Sequence, residues 1–264
     1  MSAPTPGRRL RWFSDGAASA IASLFDIREH GQDAGLIVHC DTGAEDEDNH
    51  RFRGDCIRLF NCPVETIKSE KYSSTWDVWE RRKYMAGING AVCTGELKFI
   101  PRLNFQLPSD IHIFGYTADK SDVARSENLR AEYPYLNVCF PLIERKLTKA
   151  NCLALIEDAG IALPRTYAMG FPNANCLKSG CCKATSPDYW SLHRKCFPEG
   201  FAQTAILARK LNVRLARIKG ERVFIDDIPD DWPTTNPIAP ACDLLCAVHQ
   251  QDIARAAIAK ARGL

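Results

Sequence analysis

Apolar runs alternate with helix-like segments through the first 160 residues, and this alternation is the feature that most restricts the fold of the chain. It is typical of repeated βα units that build a mostly parallel sheet. The predicted strands lie near residues 9–13, 36–40, 64–68, 111–115 and 138–142. The predicted helices lie near residues 17–29, 46–60, 75–86, 121–131 and 148–159. We therefore expect an α/β fold with a parallel sheet flanked by helices.

The composition changes after residue 163. Gly, Pro, Asn and Cys dominate through residue 187, a helix is predicted over residues 188–211, and Arg217–Phe224 resembles a short hairpin. This change predicts two domains, an α/β domain over 1–163 and a small Cys-rich C-terminal lobe over 164–264 that packs on the first. Within the first domain, segment 87–108 breaks the alternation and is a candidate functional insertion.

Bulk charge does not identify a partner for this chain. There are 34 basic and 32 acidic residues among 264, which gives a net charge of +2. Nucleic-acid binding therefore cannot be inferred from total charge, although a local basic face stays open. The N-terminal residues lack the apolar core of a secretory signal, and no apolar run reaches membrane-spanning length. We expect a cytoplasmic protein with no membrane contact, whose 12 cysteines are mostly thiols.

The loop between the first predicted strand and helix contains small and polar residues, Ser14-Asp15-Gly16-Ala17-Ala18-Ser19. Such a loop leaves backbone N–H groups available to a phosphate, and a helix start adds a positive dipole. The hydroxyls of Ser14 and Ser19 would join the N–H of Gly16 in holding phosphate. The carboxylate of Asp15 opposes an anionic ligand unless it faces away or meets a metal ion. A simple tight turn is the alternative.

A second polar corner, Asp41-Thr42-Gly43, ends the second predicted strand. Two polar strand ends are where an open α/β sheet binds a nucleotide, so Asp41 is expected to approach the nucleotide or its metal ion.

Five blocks in order carry a resemblance to a known family. The first loop is similar to the Ser-Gly-Gly-x-Asp-Ser PP-loop of the adenine nucleotide alpha-hydrolase superfamily. The second corner resembles the Asp-Thr-Gly motif of its phosphoadenosine phosphosulfate (PAPS) reductase branch. The remaining blocks are Cys93-Thr94-Gly95-Glu96-Leu97-Lys98 with Pro101, Gly115-Tyr116 with Arg125, and Pro141-Leu142-Ile143 with Leu147-Thr148-Lys149. The similarity spans roughly residues 9–225 and is closest to the members of the PAPS reductase family encoded by phages and prophages.

This resemblance implies a Rossmann-like, adenine nucleotide alpha-hydrolase-like sheet that binds ATP or a related adenine nucleotide with Mg²⁺. It also implies that Lys98 and Arg125 contact an anion. The equal alternative for each is a charged side chain solvated at the surface. The loop differs from the PP-loop motif of the family at two positions. Asp15 replaces the second glycine of the motif, and Ala18 replaces its aspartate. The Glu-Cys-Gly-x-His nucleophile of the sulfonucleotide reductases is absent from the sequence.

Close cysteines in the second half predict a four-thiolate site for zinc or an iron–sulfur cluster. The predicted ligands are Cys176, Cys181, Cys242 and Cys246, separated within each pair by four and three residues instead of the usual two. Cys93 and Cys182 are alternate ligands. The resemblance favours a [4Fe–4S] cluster, with zinc as the alternative. Free thiols or a Cys242–Cys246 disulfide stay open.

The function expected from the resemblance is ATP-dependent sulfur transfer or redox chemistry on a nucleotide or nucleic acid, using the Cys-bound cluster. A nucleic acid and a sulfur-donor protein are the open partners. One alternative is a sulfonucleotide reductase for PAPS or adenylylsulfate with a relocated nucleophile, Cys242 or Cys246. The other is a non-catalytic regulatory protein that binds a nucleotide through a degenerate PP-loop.

Overall fold

A computed structural model of the chain describes residues 7–87 and 90–239. Their strands are β1 (Arg9–Trp12), β2 (Gly35–Asp41), β3 (Val64–Lys68), β4 (Ala86–Gly87), β5 (Gly90–Ala91), β6 (Ile111–Ile113), β7 (Asn137–Cys139), β8 (Ala216–Ile218) and β9 (Glu221–Val223). Their helices are α1 (Ala17–His30), α2 (Asp48–Phe60), α3 (Thr75–Arg82), α4 (Val92–Thr94), α5 (Ile100–Phe105), α6 (Lys120–Glu132), α7 (Pro141–Glu144), α8 (Lys149–Asp158), α9 (Arg165–Ala168), α10 (Pro187–Cys196) and α11 (Pro198–Lys210). A π-helical turn, Gly95–Phe99, separates α4 from α5.

The chain divides by contact into two units. The first unit contains residues up to 40, 47–67 and 105–165, and the second contains 41–46, 68–104 and 166 onward. The strand–helix alternation alone assigns 68–104 to the N-terminal domain, whereas in the structure this segment groups with the later residues. Most of the segment that breaks the alternation is therefore part of the second unit.

The first unit is built on a five-stranded parallel sheet in the order β3-β2-β1-β6-β7. Arg9 in the central strand pairs with Gly35 on one side and with Ile111 on the other. The chain thus adds β2 and β3 on one side of β1 and then crosses to the other side, where it adds β6 and β7. This order confirms the predicted α/β fold and places the topological switch point between β1 and β6.

Apolar side chains of α1, α2 and α8 form the core of the first unit against the sheet. Phe13, Ile21, Ile37, Phe52 and Ile156 are each buried to 98% or more there. A charged group also belongs to this interior, because the buried Asp26 of α1 accepts hydrogen bonds from Arg9 and Arg11 of β1. Burying this carboxylate is tolerated because two guanidinium groups neutralise it. The hydrogen bonds from Arg9 and Arg11 to Asp26 hold α1 against β1.

Two element boundaries differ from the sequence prediction, and proline explains both. Strand β7 ends at Cys139 because Pro141 begins α7, where its missing N–H costs nothing. The single helix predicted over 188–211 is wrong, since α10 and α11 are separate helices that meet at Phe197. Phe197 has φ −133° and ψ 62°, outside the helical region, as expected for the residue before Pro198.

The second unit has its own core and, among its described residues, two antiparallel strand pairs, β4–β5 and β8–β9. The β8–β9 pair confirms the hairpin predicted near Arg217–Phe224. Trp79, Trp190 and Tyr189 are almost fully buried at the centre of this core, and Cys93 and Cys182 pack in it. Within the described part of the chain, no helix is long and apolar enough to cross a membrane.

Gly115 tests how closely the loop after β6 approaches α1. A Cβ added to Gly115 would lie 2.6 Å from the Cα and 2.7 Å from the N of Ser19, so Gly115→Ala should lower the free energy of unfolding by about 1–3 kcal/mol. Gly54→Ala is the control, because Gly54 lies in α2 with only the end of the Arg58 side chain nearby, at 3.9 Å. There we expect a gain of about 0.5–1 kcal/mol. Urea unfolding measures both, and equal effects would contradict the close approach.

Candidate functional site

The loop that follows β1 lies at the switch point of the sheet. Helix α1 begins at Ala17 with Gly16 as its N-cap, so no side chain accepts a hydrogen bond from the first N–H groups of the helix. Gly115, in the loop after β6, packs directly against the first turn of α1. An uncapped helix start at a switch point is a place where phosphate binds readily.

The two serines of this loop have different surroundings. Ser19 is buried, and its hydroxyl accepts a hydrogen bond from the N–H of Ser14 at 3.1 Å and donates one to the carbonyl of Gly16 at 2.9 Å. Ser14 is exposed, with its hydroxyl 3.2 Å from that of Ser19. Ser19 therefore closes the loop upon itself, whereas Ser14 presents a hydroxyl that a ligand can reach. The phosphate role of Ser19 stays a prediction.

Asp15 faces inward and is neutralised by Arg53 of α2. The guanidinium donates from Nε to Oδ1 at 2.9 Å and from Nη2 to Oδ2 at 2.5 Å, and the Asp15 side chain is fully buried. His39 Nδ1 donates to the carbonyl of Phe13 at 3.1 Å, so its Nε2 accepts from Arg53 at 2.8 Å. The negative charge of Asp15 is therefore balanced within the protein and does not oppose an anionic ligand. Sequence reasoning missed Arg53, because it lies 38 residues from Asp15 and in another element.

Arg125 of α6 lies above the ring of Tyr116, with its guanidinium carbon 4.4 Å from the ring centroid. Its Nη1 also donates to Asp122 at 2.5 Å, and Asp122 accepts from the N–H and the hydroxyl of Thr117 at 3.0 and 2.9 Å. Lys149, from the last block of the sequence resemblance, is also affected by burial, which lowers the pKa of its side-chain amine. The Arg125 guanidinium is already paired with the Asp122 carboxylate, and its contact with an anion stays a prediction.

In the second unit, the Asp41-Thr42-Gly43 corner is a tightly bonded turn. Gly43 has φ 62°, and its N–H donates to the carboxylate of Asp41 at 2.8 Å. A Cβ on Gly43 would lie 2.0 Å from the carbonyl oxygen of Ser73, so only glycine fits here. Thr42 donates from its N–H and its hydroxyl to Glu45 at 2.9 and 2.5 Å. The corner that the sequence singled out is therefore closed by hydrogen bonds of its own residues and packed against the backbone of Ser73.

Two cysteines from distant parts of the chain meet in this unit. The sulfur atoms of Cys93 and Cys182 lie 3.9 Å apart, and both residues are buried. The hydrogen bond between the Cys93 and Cys182 sulfurs is the main cause that lowers the pKa of Cys93 to about 7, and the nearby charge of Lys98 acts in the same direction. The pKa of Cys182 is raised well above its ordinary value by the same contact and by burial. Lys98 is itself buried, in the π-helical turn.

The loop that carries Cys176, Cys181 and Cys182 is held by α10 and α11. The Tyr189 hydroxyl accepts from the N–H of Cys181 at 2.8 Å, and Thr204 donates to the carbonyl of Ser179 at 2.8 Å. The nearby Cys181 and Cys176 side chains also contribute to raising the pKa of Cys182. Among the described residues, no three His, Cys, Asp or Glu side chains are grouped closely enough to hold a metal ion. Cys242 and Cys246 lie outside these residues.

Neither a protein-family model nor a curated protein matches this chain. The resemblance to the PAPS reductase family therefore stays a prediction from the quoted motifs.

The buried Asp15–Arg53 pair predicts a large effect of a single substitution. Arg53→Gln leaves the Asp15 carboxylate buried without its cation, which should cost about 3 kcal/mol in urea unfolding. Arg58→Gln on the same helix is the control, because Arg58 is exposed and its pairing with Asp55 should contribute less than about 1 kcal/mol. Adding Asp15→Gly to Arg53→Gln should restore part of the loss, because φ 57° suits glycine. A double variant no more stable than Arg53→Gln would contradict this account.

His193 predicts a dependence of stability on pH. It is fully buried in α10, and its Nε2 donates to the carbonyl of Leu177 at 2.7 Å. Burial lowers its pKa to about 4, so the unfolded chain binds a proton below pH 6.5 that the folded chain refuses. The free energy of unfolding should therefore fall by about 3 kcal/mol from this group as pH drops from 6.5 to 4. His193→Asn should remove this pH dependence of the free energy of unfolding. Above pH 7 the free energies of unfolding of the variant and the parent should differ by a constant amount. Identical pH profiles below pH 6.5 would refute the assignment.

Proposed function

We propose that this protein is a PAPS-reductase-like enzyme that binds an adenine nucleotide and carries out ATP-dependent sulfur transfer or redox chemistry on a nucleotide or nucleic acid. The observation that carries the proposal is the uncapped start of α1 at the switch point between β1 and β6. A nucleotide phosphate there meets backbone N–H groups and the positive end of the helix dipole. The neutralisation of Asp15 by Arg53 supports an anionic ligand at this position.

In this proposal the N–H groups of Gly16 and Ala17 and the hydroxyl of Ser14 hold phosphate. Asp15 supports the loop through Arg53 instead of binding Mg²⁺, since the guanidinium already occupies both of its oxygens. Roles of Asp41, Thr42, Gly43, Lys98 and Arg125 toward the nucleotide or Mg²⁺ rest on the sequence resemblance.

We further propose that cysteines of a Cys-rich C-terminal lobe, together with Cys93, hold a [4Fe–4S] cluster. Thiolates suit iron–sulfur clusters and zinc, and the lowered pKa of Cys93 favours its thiolate near neutral pH. The contact between Cys93 and Cys182 favours this pair as two of the ligands. Cys176 and Cys181 are not grouped with the pair closely enough to hold a metal ion in the described structure, so their roles as ligands rest on the sequence pattern. Cys242 and Cys246 remain the alternative ligands. A bound cluster would supply electrons or hold sulfur for transfer.

Zinc has one specific observation in its favour. Two thiolates on a single tetrahedral zinc lie about 3.8 Å apart, since each Zn–S bond is about 2.3 Å long. The distance between the Cys93 and Cys182 sulfurs, 3.9 Å, matches that spacing. Metal analysis therefore has to distinguish the two candidates.

A crossed pair of substitutions tests the proposal on anaerobically purified protein. We expect bound iron with visible cluster absorption and binding of ATP with Mg²⁺ in calorimetry. Gly16→Val should weaken ATP binding at least tenfold and keep the iron, because the added side chain covers the helix start while the extended backbone of Gly16 accepts valine. Cys182→Ser should lose the iron and keep ATP binding. Gly54→Ala and Cys196→Ser are the matched controls and should change neither property.

Each of the other outcomes favours a different function. Zinc in place of iron would rule out sulfur transfer at a cluster, and sulfite release from PAPS would indicate a sulfonucleotide reductase. ATP binding without pyrophosphate release, with DNA, RNA or free nucleotides offered as substrate, would indicate a regulatory nucleotide-binding protein. Failure of ATP to bind at all would overturn the proposed function.

A further inference from the structure

The β8–β9 hairpin of the second unit is strongly basic. Its turn is Lys219-Gly220, with φ 49° and 88°, which is the two-residue hairpin turn that matches the strand twist. The segment 213–223 carries four exposed cations, Arg214, Arg217, Lys219 and Arg222, against a single carboxylate, Glu221. Because the whole chain has a net charge of only +2, this segment is a local concentration of positive charge.

The register of the hairpin places two of these cations opposite each other. Arg217 pairs with Arg222, directly across the two strands. Like charges at such positions destabilise a hairpin, and these strands are only three residues long. Within the described residues, none of the four cations forms an ion pair with a carboxylate. A bound polyanion would remove this repulsion.

The inner side of the hairpin is fixed in the same core as the cysteine loop. Leu215 and Ala216 are buried in the core that also contains Cys182. The N–H of Arg217 donates to the carbonyl of Thr185 at 2.9 Å, and Arg222 donates to the carbonyl of Leu215 at 2.9 Å. Thr185 follows Cys182 by three residues. A ligand on the hairpin would therefore lie beside the cysteine loop.

We propose that the β8–β9 hairpin binds the phosphate backbone of duplex DNA and brings it to the cysteine loop. This names the substrate class of the proposed function and rests on that function for its chemistry. Guanidinium groups match phosphate oxygens in a forked geometry, and Lys219 at the tip adds a third contact. A two-stranded ribbon is one of the elements that the major groove of B-DNA admits, whereas the major groove of an RNA duplex is too narrow.

Other anionic surfaces fit the hairpin less well. An element that binds an anionic membrane inserts apolar side chains beside its cations, and a protein interface has aromatic or aliphatic anchors. The large hydrophobic side chains exposed in the described chain lie elsewhere, at Tyr84, Leu107, Tyr135, Ile206 and Ile238.

Fluorescence anisotropy with a labelled DNA duplex of mixed sequence tests the proposal on the full chain, without ATP. The double variant Arg217→Gln, Lys219→Gln should bind at least tenfold more weakly. The plot of log affinity against log salt should become shallower by about 1.8, the value for two lost phosphate contacts. Arg28→Gln, Lys120→Gln removes the same charge from exposed positions of the first unit and should keep the parent slope.

Arg217→Glu separates binding from hairpin stability. It places opposite charges at Arg217 and Arg222, so the unfolding midpoint should rise by about 1–3 °C while DNA binding is lost. A fall in the midpoint with unchanged DNA binding would show that Arg217 has a structural role only and would overturn the proposal.

The remaining outcomes are equally decisive. Equal weakening in the Arg28, Lys120 control, tighter binding to single-stranded DNA or duplex RNA, or binding to phosphatidylserine vesicles without binding to DNA would each overturn the proposal. Failure here is distinguishable from failure of the proposed function. The hairpin variants should keep ATP binding and metal content, and Gly16→Val should keep DNA binding.

Discussion

The buried ion pair between Asp15 and Arg53 is the interaction on which the turn from β1 to α1 depends. Asp15 adopts a left-handed backbone conformation, which is unfavourable for most residues that carry a Cβ. Its carboxylate is held by a guanidinium on α2, which His39 in turn contacts. The turn thus directs the negative charge of Asp15 into the protein interior, where Arg53 balances it. Everything proposed for an anionic ligand at this loop requires that arrangement.

The alternation of apolar runs predicted the parallel sheet because buried parallel strands are continuously apolar and their crossovers are helical. It did not predict the strand order, since alternation does not specify on which side of β1 a later strand is added. The break between α10 and α11 was present in the sequence as Phe197-Pro198, a proline signal that aromatic residues on both sides concealed. The grouping of 68–104 with the later residues depends on long-range packing that no local pattern encodes.

The candidate sites divide in the same way. Small residues before a helix and the Asp-Thr-Gly corner are local signals, and both correspond to tight turns closed by a hydrogen bond between a side chain and the backbone. The contact between Cys93 and Cys182 joins residues 89 positions apart, so cysteine spacing alone favoured other partners. No sequence pattern indicated Arg53 as the partner of Asp15, because a cation on an amphipathic helix normally faces solvent. The sequence thus indicated where ligands are expected, and the structure identified the supporting charges.

The break at Pro198 has a consequence for the cysteine loop. In one straight helix, residues 193 and 204 would be about 16 Å apart along the axis, at about 1.5 Å per residue. In the structure, His193 and Thr204 hold the carbonyls of Leu177 and Ser179, which are only two residues apart. The break at Phe197 lets each of the two helices bond to this short stretch of the loop. The loop is therefore preorganised from two directions, and a metal ion or substrate that binds it loses little affinity to the ordering of a mobile segment.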